Sequence, residues 1–112
     1  MSATPKRFVE GGQLTASAAT YYTCPSNTKA LIKKLTFTNN DTSARTVTVY
    51  LVPSAGTAGV TNILTKAASI AAGATYEAFE AEGHILTAGA TLQALADVTS
   101  MVTINASGVE IV

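Results

Sequence analysis

Catalysis and metal binding need particular side chains gathered in one place, and this sequence supplies few of them. His84 is the single histidine, so a Ser-His-Asp or Cys-His arrangement would have to run through it. It sits in Glu82-Gly83-His84-Ile85, at the entrance to an apolar run, where a partly exposed strand-edge histidine is expected. Cys24, the single cysteine, precedes Pro25 and reads as a small buried side chain rather than a nucleophile. One histidine and one cysteine far apart in sequence do not make a transition-metal cluster. Asp41 with Asn39 and Asn40 hints at calcium, but the spaced carboxylates of an EF-hand loop are missing, and an Asx turn is the expectation. Glu77, Glu80 and Glu82 are the densest acidic group. On a strand Glu80 and Glu82 share a face and Glu77 does not, which does not support a paired-carboxylate glycosidase site. Gly11-Gly12 is not followed by a lysine at P-loop spacing. The sequence therefore predicts no catalytic residue, no metal ligand and no cofactor, and so no enzyme.

What remains is contact chemistry. There are four tyrosines, three phenylalanines and no tryptophan. Tyr21 and Tyr22 are expected on opposite faces of one strand. Tyr50 and Tyr76 are candidates for outward positions, where a ring either forms part of a sugar platform or packs at a sheet edge with its hydroxyl in water. Phe8, Val9, Tyr50, Val60, Ile63, Leu64, Tyr76 and Leu95 are the candidate interface residues. Two segments, residues 1–12 and the loop 53–66, are the candidate contact segments.

The elements that must position these residues read as strands. The clearest forecast runs from Ala30 to Pro53. Its two β-patterned runs, Leu31 to Thr38 and Arg45 to Val52, flank Asn39-Asn40-Asp41-Thr42-Ser43, which is dense in turn residues. In the first run Ala30 and Ile32 share one parity, while Leu35, Phe37 and Asn39 share the other. A bulge near Lys33-Lys34 would bring both sets to the core. In the second run Val47, Val49 and Leu51 point inward, and Thr46, Thr48 and Tyr50 outward. Ser69 to Glu77 resembles Ile85 to Gln93. Each has an apolar residue, then Ala-Gly-Ala-Thr, with glycine allowing a positive-φ turn and threonine opening the next strand. Leu92, Ala94 and Ala96 alternate inward, as do Val102, Ile104 and Ala106; Leu95 falls outward. Val109 and Ile111 break that phase, which suggests a second bulge at Ser107-Gly108. Helix periodicity is poor throughout. About eight strands at this spacing predict an all-β, antiparallel β-sandwich of jelly-roll type.

Composition sets the class of object. The chain has 112 residues, enough for one core, with 47% hydrophobic and only 12% charged residues. A typical soluble domain is about 25% charged, so this surface repels its own copies weakly and suits a protein partly covered by neighbours. Seven basic and seven acidic residues leave a net charge of zero, which argues against a nucleic-acid footprint. One cysteine permits no internal disulfide. The first residues show no signal-peptide core, and no run is long enough for a membrane helix. The two Asn-x-Ser/Thr triplets, at Asn40 and Asn105, are read as coincidences of a Ser- and Thr-rich chain. The expected organisation is an N-terminal arm, residues 1–12, followed by a single β-sandwich domain, residues 13–112. Pro5 and Gly11-Gly12 bracket Arg7 to Glu10, a first strand or an extension onto a neighbour.

Three phrases carry a family likeness: TKALIKKLTFTNNDTSARTVTVYLVP, IAAGATYEAFEAEGHILTAGATLQALA and the terminal VTINASGVEI. Over roughly residues 12–112 the chain resembles small structural proteins of tailed bacteriophage virions. The resemblance implies a β-sandwich that assembles on the virion, as a head decoration (cement) protein or a tail- or fibre-associated one. It implies a protein made in the host cytoplasm. Its partners would be copies of itself, a trimer for preference, and the major capsid or tail protein, without nucleic acid or membrane. Arms and edge strands would add strands to neighbours. The resemblance carries over no catalytic or ligand residue. A carbohydrate- or receptor-binding sandwich is the alternative.

Overall fold

A computed structural model describes residues 2–112; Met1, the first residue of the expected arm, lies outside them. Nine strands follow in order: β1 (Ala3–Gln13), β2 (Ala19–Thr23), β3 (Lys29–Asn39), β4 (Arg45–Val52), β5 (Ile63–Ile70), β6 (Thr75–Glu77), β7 (Ile85–Leu86), β8 (Thr91–Ala96) and β9 (Val102–Ile111). Every pairing is antiparallel, and no helix occurs among the described residues. One sheet has the order β1-β9-β3-β6, with β7 also pairing β3; the other has the order β2-β8-β4-β5. Successive strands thus alternate between sheets through the first half of the chain and return beside their partners in the second half. That order is the jelly roll, the architecture expected from the strand spacing.

The stretch 2–12 folds back onto the domain. Residues 3–13 pair with β9 along their length, the first of the two readings left open, and Ser2 and Val112 exchange backbone hydrogen bonds of 3.1 and 2.9 Å. Residues 63–70, within and beyond the loop expected at 53–66, form a full strand, which takes the count from about eight to nine.

Between the sheets Leu14, Ile32, Leu35, Phe37, Val47, Val49, Leu92, Val102 and Ile104 are fully buried. The predicted bulge is present. The β3–β9 register slips between Ile32 and Lys34, so Ile32 and Leu35 both face the core while Lys33 and Lys34 both stay exposed. The second predicted bulge falls elsewhere. Strand β9 keeps its alternation through Gly108, and the extra residue opposite it belongs to β1, at Phe8. A Cβ on Gly108 would meet the Leu31 carbonyl oxygen and lie 2.6 Å from the Phe8 ring. Glycine is there to let that ring lie across the strand. The break in phase is therefore an inversion of polarity: Glu110 turns inward, and Val109 and Ile111 turn outward. Strand β1 bulges again between Val9 and Gly12.

The two Ala-Gly-Ala-Thr phrases are structurally equivalent. Gly73 (φ 72°) and Gly89 (φ 84°) both take the left-handed conformation, and Thr75 and Thr91 each open a strand. Each turn docks reciprocally on one residue. Gly73 donates to Asn39 O and Ala74 O accepts from Asn39; Gly89 donates to Cys24 O and Ala90 O accepts from Cys24.

Candidate functional site

The residues with chemical potential are distributed as structural parts. Cys24 is buried, with its thiol 3.3 Å from Thr28 O and 3.4 Å from Leu86 O; burial, then the Glu110 charge, pushes it up. A raised thiol is a poor nucleophile at neutral pH. His84 is exposed just before β7, and its carbonyl accepts from Ile32 N at 3.0 Å. Asp41 closes the β3–β4 turn: Oδ1 accepts from Thr42 N at 2.7 Å, and Oδ2 accepts from Arg45 Nε at 2.7 Å. The hydrogen bond from Arg45 holds its carboxyl below the usual value.

The three glutamates divide differently from the parity expectation. Residues 78–84 are a turn, so alternation does not apply there. Glu82 and Glu77 come together beside Lys34, which lies 3.3 Å from Glu77. Burial and then the hydrogen bond with Glu77 raise Glu82, which keeps its proton more readily than a free carboxyl would. Glu80 stands apart and accepts from Thr65 and Tyr76. Burial acts to raise Glu80, and these two hydrogen bonds outweigh it. Tyr76 pairs across from Phe37, stacks on it at 6.5 Å, and is pushed up to about 12 by burial and the bond to Glu80. The outward position expected for Tyr76 is therefore wrong, because its strand turns that ring toward the core. Among the described residues no three His, Cys, Asp or Glu side chains gather as metal ligands.

Phe8 and Val9, candidates for contact, are each 7% exposed and belong to the core. The β1 bulge turns both inward, and Phe8 stacks on Tyr22 at 4.2 Å. Tyr22 donates to Glu110. Tyr21 sits on a bulge of β2 and packs on the core with Tyr22, instead of facing away. Leu64 also packs against the core, on the opposite side of β5 from Ile63.

Four other candidates meet. Tyr50 on β4, Leu95 on β8, Ile63 on β5 and Val60 on the preceding turn line one groove of about 450 Å³ on the outer face of the β2-β8-β4-β5 sheet. Pairing explains the assembly: Tyr50 is opposite Ile63, and Thr48 is opposite Leu95. A bulge in β5, with Ala67 at φ 50° donating to Thr48 Oγ1 at 3.1 Å, adds Lys66 and Ala67 to the rim. Val60 is 88% exposed, yet it is not on a loose loop. Asn62 fastens that turn, accepting from Gly59 N and donating to Thr57 O, both at 3.0 Å. The groove contains one charge, Lys66, one ring and no catalytic pair. What it offers chemically is apolar contact. Sequence reading found Tyr50 and Leu95 from strand parity; it had no signal for Ala67, whose place depends on the bulge.

No protein-family profile matches the chain, and no curated protein matches it. Among solved structures it is similar to a chain in the structure of infectious bursal disease virus, Gx strain, with a TM-score of 0.52 and 14% identity over 97% of this chain. The match spans about a third of the viral chain, 32%. At that identity the likeness concerns the fold, and it agrees with the strand order.

Proposed function

We propose that the protein is a non-enzymatic structural component of a virus particle that acts through protein–protein contacts. The observation that carries this reading is the groove. Residues from four separate parts of the chain converge on an outer sheet face as an apolar surface with a rigidly held, exposed Val60 at its rim. A contiguous apolar face of that kind, unlike a lone exposed valine, marks an interaction surface. The jelly roll is the architecture of many capsid domains, and the similar viral chain shares it.

The finer reading is a tailed-bacteriophage decoration or tail-associated protein. It is located on the virion, made in the host cytoplasm, and bound to copies of itself, as a trimer, and to the major capsid or tail protein. The sequence phrases that resemble such proteins support it. Lectins also use the jelly roll, so a carbohydrate-binding role for Tyr50 is the competing reading.

The test compares the wild-type chain with Leu95→Glu by sedimentation velocity and on a glycan array. The expected result is a self-associated wild type, a monomeric variant with an unchanged melting temperature, and no glycan bound. An unchanged mass for the variant, together with specific glycan binding lost on Tyr50→Ala, would replace the structural reading with the carbohydrate one.

A further inference from the structure

The opposite sheet carries a second apolar feature on its own outer face. Residues paired across antiparallel strands share a face, and the register sets Pro5, Val109, Leu31 and Ile85 in one row across β1, β9, β3 and β7. Ile85 is 60% exposed, Pro5 is exposed, and Leu31 and Val109 are half-buried with no layer above them. The adjacent row is Ala3, Ile111 and Lys29. Beside Ile111 it opens into a hollow of about 320 Å³, lined also by Val112 and Ala88. On the other side lies the row Arg7, Ser107, Lys34, with Lys33 turned out next to it by the bulge.

The charges around this stripe that form no ion pair are cationic, and the acidic pair Glu77–Glu82 lies beyond it, against Lys34. Lys34 is engaged by Glu77, but Arg7, Lys29 and Lys33 form no ion pair among the described residues. Glu110, on the same strand as Val109, points to the other side of the sheet, where Lys6 meets it at 3.3 Å. A net-neutral chain thus presents unpaired cations on both flanks of an apolar row. A second copy packed by this face would bring like charges together. Single-stranded nucleic acid would use the cations but leave the apolar row idle, and none of these residues is aromatic, so bases have nothing on which to stack. The complement is a protein segment that carries carboxylates beside apolar side chains.

We propose that this face docks an acidic segment of a partner protein, with apolar side chains on the Pro5–Val109–Leu31–Ile85 row and in the hollow beside Ile111, and carboxylates against Arg7, Lys29 and Lys33. This goes beyond the virion reading and does not depend on it, because the groove of the other sheet has no part in it.

The test titrates the full chain with a synthetic peptide alternating glutamate and valine. Controls are the same peptide with lysine for glutamate, the same peptide with serine for valine, and a single-stranded oligonucleotide. The glutamate–valine peptide alone is expected to bind. The K29E/K33E double variant should weaken it about tenfold or more, and raised salt should weaken it as well. Leu31→Ser should weaken it without removing the salt dependence; Ile85→Ser, at an exposed site, serves if the first substitution disturbs the sheet. The proposal is overturned if no peptide binds, if the oligonucleotide binds as tightly as the peptide, or if affinity is indifferent to K29E/K33E.

Discussion

Asn39 shows how much one polar side chain can hold. It is fully buried at the end of β3, where Nδ2 donates to Ser43 O at 2.9 Å, Ile70 O at 3.0 Å and Ala71 O at 3.3 Å, and Oδ1 accepts from Asp41 N at 2.9 Å. Asn39→Leu keeps the branching at Cγ and strands those backbone groups, so a loss of about 2–4 kcal/mol is expected in urea unfolding. Its core-facing parity is visible in the sequence. Two of its partners, Asp41 and Ser43, lie in the legible turn beside it; Ile70 and Ala71 are not visible, because they come from the end of β5 in the other sheet. Gly108 is the reverse case, an absence of side chain that sequence reading mistook for a bulge. Gly108→Ala should prevent a stable fold, and Phe8→Ala should not rescue it, because the Leu31 carbonyl would still obstruct the Cβ. Circular dichroism of the single and double variants checks this. Asp41 governs part of the acid response. Its folded-state pKa is depressed, so its contribution to stability is present above its ordinary value of 3.8 and is lost as the pH falls through the lower folded value. Glu80, also depressed, acts in the same direction, whereas the raised Glu82 gives up stability as the pH rises through its own higher value. Asp41→Asn should therefore flatten the fall in the urea midpoint below about pH 4 without removing it.

At the level of elements, the bulges decide which side of each strand is core. Deleting Lys33 would only remove the extra residue and leave Ile32, Leu35, Phe37 and Asn39 on the core side, whereas deleting Thr36 would shift Phe37 and Asn39 by one residue and turn both outward, since a one-residue slip exchanges faces. The Thr36 deletion should abolish cooperative unfolding, while K33A/K34A should change stability by less than about 0.5 kcal/mol, as an exposed pair does. Denaturant titration separates the two. This bulge was legible because two buried sets of opposite parity sit on one strand. The bulges at Phe8 and Tyr21 were not, because short apolar pairs such as Phe8-Val9 and Tyr21-Tyr22 fit either face until a partner strand fixes them. The Ala-Gly-Ala-Thr turns were legible in full, since both the glycine conformation and the strand start are local properties.

The jelly-roll order of the whole molecule was anticipated as a class from strand spacing, but the pairing is long-range and could not be read from any one segment. The candidate groove was half legible for the same reason. Tyr50 and Leu95 announce an outer face, yet their meeting with Val60 and Ile63 depends on β5 lying beside β4. Zero net charge concealed an uneven distribution, with Arg7, Lys29 and Lys33 unpaired on one sheet and the groove of the other nearly uncharged. The two faces should consequently respond to salt in opposite ways. Association through the groove should hold or strengthen as ionic strength rises, and capture of an acidic segment should weaken, both measurable by sedimentation in a salt series.

The free edge of β1 is kinked twice, at Phe8 and again before Gly12, and Pro5 removes one of its donors. A straight edge invites another chain to zip onto it, and growth by that route has no natural stop. Here the zipper is broken at both ends of the strand. Copies stored at high concentration should stay clear of fibrils, and whatever larger body they build should be tiled face against face.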